Sequence, residues 1–391
     1  MTSLKDPSIS RRTRCAVAVA LVATASLSAC GNRADHSTRA DRVAHVDTAV
    51  DRAAAAYVPC GKPPVKLEKQ DQDFLDQLAA ADGTPLYKLS YKAARDVLNK
   101  AQSGPVAKLA ARISDRTVPG GPTGPVSIRV VRPAGATGTL PGVVYVHGGG
   151  WVLGNAMTHD RLVREIANGA RATVVFVNYT PSPEAHFPVP VEQEYAVAKW
   201  LAANGNTIGV DPTRLAVAGD SVGGDMTAAL TLMAKQRGGP HFRQQILLYP
   251  VTDANFDTAS YHRFAENCWL TRPAMQWFWD AYAPNRAARK SPLASPLQAS
   301  LAQLRGLPPA LVITDSDVLT DEGNAYAAKL RQAGVRVTTT HYPQITHDFM
   351  MLNALAGTQS NKQAVAETNA ALRAALYKAT PTGASASAGT R

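Results

Sequence analysis

Ser221 stands in the run Gly219-Asp220-Ser221-Val222-Gly223-Gly224, between the apolar stretch Arg214–Ala218 and the helix-compatible stretch Val222–Gln236. A serine flanked by glycines where a strand meets a helix sits on a sharp turn. Side chains at 219 and 223 would collide there, so glycine is needed at both positions. The turn lifts the hydroxyl above the sheet, where it can act as a nucleophile. Such a serine needs a base to take its proton, an acid to orient that base, and amide donors for the charge that develops on an attacked carbonyl.

The amide donors have a candidate in His147-Gly148-Gly149-Gly150-Trp151, directly after the apolar run Gly142–Val146. Successive glycines let the backbone approach a reacting group. Gly148, Gly149 and Gly150, with the amide of Val222, are therefore the candidate oxyanion hole. His147 reads as a hydrogen-bond partner that fixes the loop, and Trp151 as a wall of the site. The base should come late in the chain, and His347 in Ile345-Thr346-His347-Asp348-Phe349 fits. His341 falls inside a predicted strand, and His262 precedes every candidate acid. The acid should follow the strand Ala310–Thr314, which leaves Asp315, Asp317 and Asp321. Asp321 has a simple explanation as a helix cap. Spacing alone divides the assignment between Asp315 and Asp317. Trp269, Trp277, Phe278 and Trp279 could equally line a substrate pocket or pack a helix onto the core.

These residues need a scaffold that brings distant segments together. From residue 126 onward, short apolar runs alternate with amphipathic ones. Strands are predicted at Val126–Val131 (antiparallel), Gly142–Val146, Thr173–Val177, Arg214–Ala218, Gln245–Leu248, Ala310–Thr314 and Val335–His341. Helices are predicted at Glu192–Ala203, Val222–Gln236, Pro273–Tyr282, Asp321–Ala333 and Ala364–Tyr377. The alternation predicts an α/β fold with a mostly parallel sheet flanked by helices. Every motif above falls where a strand ends, which is where sites collect in such sheets. Before residue 119 the periodicity is helical, with Phe74, Leu75 and Leu78, then Ala94, Val97 and Leu98, then Val106, Leu109 and Ile113. Residues 66–118 are read as a helical cap region, residues 119–378 as the main domain, and residues 379–391 as a disordered tail.

Beyond the two glycine motifs, the chain carries Tyr179-Thr180-Pro181-Ser182-Pro183-Glu184, Pro250-Val251-Thr252-Asp253, Leu307-Pro308-Pro309-Ala310 and Asp317-Val318-Leu319-Thr320-Asp321-Glu322-Gly323. With these it resembles the bacterial esterases of the hormone-sensitive-lipase family, from about Leu75 to about Leu376. The resemblance implies the α/β-hydrolase fold, an N-terminal helical cap helped by an insertion near 254–285, and hydrolysis of short-chain carboxylic esters. It maps the acid to Asp317 and the base to His347. The sequence has no H-E-x-x-H and no P-loop run, so no metal and no nucleotide cofactor is expected. An amidase, a lactonase or a deacetylase would use the same triad, and a catalytically silent envelope binding protein is the alternative outside enzymes. Four positions depart from the family pattern. Asp348 replaces the usual glycine beside the base, Asp225 replaces an asparagine after the elbow, and Asn178 and Thr180 replace charged residues.

The chain has 391 residues and a net charge of +11. Lys5, Arg11, Arg12 and Arg14 against Asp6 account for +3 of that charge. The rest is scattered, without the basic stripe and interleaved aromatics of a nucleic-acid binder. The basic N-terminus leads into an apolar run, Ala16–Ala29, too short and alanine-rich to span a membrane. That run ends in Leu27-Ser28-Ala29-Cys30, which resembles a lipobox. Residues 1–29 are read as a signal peptide, Cys30 as the lipidated first residue, and 30–65 as a flexible tether to the cell envelope. After processing, Cys60 and Cys268 remain. They can pair in an oxidising compartment, but sequence carries no geometry, and two unpaired thiols are the favoured reading.

Overall fold

The computed structural model describes residues 57–378. Cys30, the predicted signal peptide and the C-terminal tail lie outside the described residues. Eight strands form one sheet: β1 (Ala111–Gly121), β2 (Gly124–Pro133), β3 (Leu140–Val146), β4 (Thr173–Asn178), β5 (Val210–Asp220), β6 (Gln245–Leu248), β7 (Ala310–Asp315) and β8 (Val337–Tyr342). Their spatial order is β1-β2-β4-β3-β5-β6-β7-β8. The pairs β1/β2 and β2/β4 are antiparallel and all others are parallel. The helices are α1 (Lys69–Ala80), α2 (Tyr91–Ala101), α3 (Asp160–Ala170), α4 (Val189–Asn204), α5 (Val222–Gln236), α6 (Ala259–Arg263), α7 (Arg272–Tyr282), α8 (Leu301–Leu304), α9 (Thr320–Gln332) and α10 (Gln359–Leu376).

The central strands β3, β4, β6 and β7 are buried along almost their whole length. Helices cover both faces of a parallel sheet, so its strands read as continuous apolar runs instead of alternating ones. Helix α5 is also buried on every side from Val222 to Ala234. It therefore shows a weak helical stripe, yet it carries the Ser221 turn at its start. No helix among the described residues is long and apolar enough to cross a membrane.

Three expectations that involve the N-terminal region fail. Residues 57–65, read as tether, are packed onto the body. Cys60 is fully buried and bonded to Cys268, so the two-thiol reading is also overturned. The Lys62 amide donates to the Arg263 carbonyl, and the Val58 amide to Asp76. Residues 111–118, assigned to the helical cap, belong instead to β1. That strand is exposed at nearly every position, because it is the sheet edge and covers little core. Its Ala-Arg-Ile-Ser-Asp-Arg-Thr sequence shows no period-2 apolar pattern, so periodicity could not find it.

Candidate active site

Ser221 sits at φ 55°, ψ −122°, between the end of β5 and the start of α5. This is a strained conformation for a residue with a side chain, and such strain gathers at functional sites. The turn is dense as well as strained. A Cβ at Gly219 would fall on the Gly223 carbonyl, and a Cβ at Gly223 on the Val146 carbonyl of β3. Beneath the turn, Asp220 is fully buried. It accepts from Tyr145 Oη at 2.7 Å and lies 3.2 Å from His159 Nε2. Burial pushes its carboxyl up, but His159 and the two hydrogen bonds outweigh that and hold it below the ordinary value. The sequence reading passed over Asp220, Tyr145 and His159, which come from three separate segments.

The strand ends bring the predicted partners to Ser221. His347 Nε2 lies 2.9 Å from Ser221 Oγ, and His347 Nδ1 lies 2.5 Å from Asp317 Oδ2. A carboxylate only accepts, so the proton of neutral His347 belongs on Nδ1 and the Nε2 lone pair faces the serine. Asp317 Oδ1 in turn accepts from the Leu319 amide at 2.8 Å. Burial drags the imidazole down, but the carboxylates of Asp348 and Asp317 outweigh it and hold His347 above its ordinary value. Asp315, the rival acid, is fully buried with neither oxygen hydrogen-bonded. Burial and the neighbouring Asp317 push its carboxyl well above the ordinary value. Asp321 accepts from the Ser260 amide and so ties α9 to the insertion. His341 lies 3.1 Å from Thr314 Oγ1, and His262 pairs with Asp257 on the surface.

The glycine run lies against this centre. Gly149 and Gly150 have φ of 102° and 65°, which L side chains rarely adopt. A Cβ at Gly148 would meet Asp220 and Ser221. Among the described residues, the amides of Gly149, Gly150 and Val222 have no backbone acceptor. The loop is fixed from behind. Tyr179 Oη donates to the His147 carbonyl at 3.1 Å, and the His147 ring stacks between Phe176 and Tyr179. Burial pulls His147 down to about 3, so it stays neutral.

A family model described as the α/β hydrolase fold matches residues 143–351, from β3 through the His347 loop. The chain belongs to the α/β hydrolase fold family. It is 35% identical to a carboxylesterase of Mycobacterium tuberculosis over 300 residues, 76% of this chain and 91% of that one. It is 37% identical to an ethyl acetate hydrolase of Pseudomonas putida over 231 residues, 58% of this chain and 72% of that one. The crystal structure of a thermostable esterase from Pseudomonas putida superposes with a TM-score of 0.78 at 48% identity, covering 80% of this chain and 98% of that one.

In this α/β hydrolase a cavity of about 160 Å³ opens over Ser221 and His347. Leu86, Leu89 and Leu98 of the N-terminal segment line it, facing Leu270, Met275 and Phe278 of the insertion. Of the five aromatics read as possible pocket residues, Trp269 and Phe278 line it, and Trp151, Trp277 and Trp279 do not. Trp151 is fully buried and stacks on Tyr282, at 4.2 Å between rings. Trp277 stacks on Tyr91 of α2, at 4.9 Å. On α7 the face carrying Met275 and Phe278 meets the cavity, and one residue's rotation of about 100° turns Trp277 away from it. A larger groove of about 920 Å³ opens at the start of β6, β7 and β8 and holds neither Ser221 nor His347.

Proposed function

We propose that this α/β hydrolase is a serine carboxylesterase of the hormone-sensitive-lipase type, acting on short-chain esters. The observation that carries the proposal is the bonded line from Asp317 through His347 to Ser221. His347 Nε2 takes the Ser221 proton as Oγ attacks the ester carbonyl. The amides of Gly149, Gly150 and Val222, with Gly148 packed beside them, stabilise the oxyanion. His347 then gives its proton to the leaving alkoxide, and an acyl-serine remains. Water, deprotonated by His347, attacks that acyl group and releases the acid and Ser221. Asp317 holds the Nδ1–H tautomer and stabilises the cation throughout. The small, mainly apolar cavity favours short acyl or alkyl groups, and the esterase relatives point the same way.

Ser221→Ala should lower turnover by about a million-fold, and Asp317→Asn by about 10⁴-fold. Asp315→Asn should be far milder. Hydrolysis of p-nitrophenyl butyrate measures all three. A Ser221→Ala enzyme with near-normal turnover would refute the proposal, and equal damage at 315 and 317 would undo the choice of acid.

We also propose export and lipid anchoring at Cys30. The lipobox-like run supports this, and so does the Cys60–Cys268 disulfide, since such pairs persist in oxidising compartments. Mass spectrometry of the mature N-terminal peptide should find a diacylglyceryl group on Cys30. A soluble protein that retains residues 1–29 would sink this reading.

A further inference from the structure

His347 Nε2 has a second neighbour besides Ser221. Asp348 Oδ1 lies 3.4 Å from it. The other oxygen, Oδ2, accepts from Trp269 Nε1 at 2.9 Å, so the pocket wall holds the carboxylate in place. Asp348 is only 7% exposed, and its Oδ1 has no hydrogen-bond partner. It lines the same cavity as Ser221 and Phe278. Its backbone sits at φ 64°, in the left-handed region where glycine is at ease and Asp is among the few side chains tolerated. A buried carboxylate with one oxygen unmatched needs an explanation.

The reaction suggests one. While His347 is neutral, its Nε2 lone pair faces Ser221 and offers Oδ1 nothing. Once His347 is protonated, Oδ1 competes with the departing oxygen for the Nε2 proton. A donor arriving with the substrate would satisfy Oδ1 and leave that proton for the leaving group. The leaving oxygen must sit at Nε2 to be protonated, so a carboxylate beside Nε2 borders the alcohol part of the ester and not the acyl chain. Around it the wall is mostly apolar, with Leu270, Met275 and Phe278, so one acceptor selects one donor.

We infer that Asp348 is a specificity-determining residue that selects esters whose alcohol carries a hydrogen-bond donor, a hydroxyl or an ammonium, two carbons from the ester oxygen. This rests on the Ser221–His347 reading above. Oδ1 has no hydrogen-bond partner among the described residues, and the match is made as the leaving oxygen approaches Nε2. The gain therefore falls partly on kcat and not only on KM.

The test compares 2-hydroxyethyl butyrate with propyl butyrate, in which a methyl replaces the hydroxyl, and adds 2-(dimethylammonio)ethyl butyrate to separate the two donor classes. p-Nitrophenyl butyrate serves as the reference. The wild-type enzyme should favour the hydroxyethyl ester over the propyl ester by about ten- to a hundred-fold in kcat/KM, the range of a hydrogen bond to a charged group. In Asp348→Gly, which suits φ 64°, that ratio should fall to near one. Asp348→Asn keeps a neutral acceptor, so it should retain part of the hydroxyl preference and lose the ammonium preference. A wild-type ratio near one, or a ratio unchanged in Asp348→Gly, overturns the inference while leaving the triad reading intact. Failure of the wild-type enzyme to hydrolyse any of the four esters overturns the triad reading and this inference with it.

Discussion

The imidazole of His347 lies between two carboxylates, Asp317 at Nδ1 and Asp348 at Nε2. Asp220 adds a third negative charge from beneath, and the uncharged Tyr249 ring packs edge-on at 5.0 Å. Burial alone would make His347 a weaker base, but the anions reverse this and raise its pKa. The proposed mechanism needs the neutral ring, so the acidic limb of kcat/KM should lie above the ordinary histidine value. Asp348→Asn removes one anion and should move that limb to lower pH. A pH profile with p-nitrophenyl acetate decides it, and a limb that stays put or rises would refute the electrostatic role. For stability, a raised histidine stabilises fully below its unfolded pKa, and the effect fades as pH climbs through the folded value. Of this residue-level picture, the Ser221 turn, the glycine runs and the place of His347 were legible, because strained turns restrict which residues fit. The carboxylate that meets His347 was not legible from spacing. Asp315 and Asp317 are two positions apart at one strand end, and only their surroundings separate them: one meets His347, the other meets no donor. The contact between Trp269 and Asp348 joins residues 79 apart and left no sequence signal.

Helix α1 shows how an element outside the sheet fixes the loop that carries His347. Asp71, on its first turn, accepts from the Thr346 amide at 2.8 Å and from Thr346 Oγ1 at 3.0 Å. Glu68, just before the helix, accepts from the amides of Gln359 and Ser360 where α10 begins. From the other side, the buried guanidinium of Arg161 on α3 donates to the carbonyls of Met350 and Met351. The loop carrying His347 is therefore held by α1 on one side and α3 on the other. Asp71→Ala leaves the Thr346 amide buried without an acceptor, which costs about 1–3 kcal/mol. Urea unfolding should show that loss, and kcat should fall by about tenfold or more as the adjacent His347 loosens. Undiminished stability and turnover would show that α1 does not position the base. Burial pushes Asp71 up to about 6. Between the unfolded carboxyl value and that pH, the native state keeps a proton that the unfolded chain has lost. Stability from this source therefore falls as pH rises through the window, and Asp71→Asn should flatten the slope. Periodicity revealed α1 as a helix, but no pattern marks Asp71 as the residue that reaches a loop 275 positions away. The edge strand β1 was missed for a related reason, since a strand with little to bury carries no apolar alternation.

Across the described residues, the Cys60–Cys268 bond spans 208 positions and joins the segment before α1 to the loop before α7. Each half of that link matters to the site. Cys60 leads through Val65 and Leu67, both core residues, into the helix that grips Thr346. Cys268 adjoins Trp269 and Leu270, which wall the cavity, and Trp269 holds Asp348. Sequence could count these cysteines but could not place them, because the pairing depends on the insertion folding back over the N-terminal segment. Closing so long a loop restricts the unfolded chain, a stabilisation of about 2–5 kcal/mol in the chain-entropy account. A Cys60→Ala/Cys268→Ala double variant should lose about that much in urea unfolding, and dithiothreitol should lower the wild-type melting temperature but not that of the variant. The loss should not be purely global. With the loop before α7 released, Trp269 and Leu270 are less fixed, so KM for small esters should rise well below the unfolding temperature. The fold of the sheet itself should persist, because β3, β5, β6 and β7 pair without help from either cysteine. If the double variant instead keeps wild-type KM and loses only stability, the bond is a staple for the chain and not a support for the pocket wall.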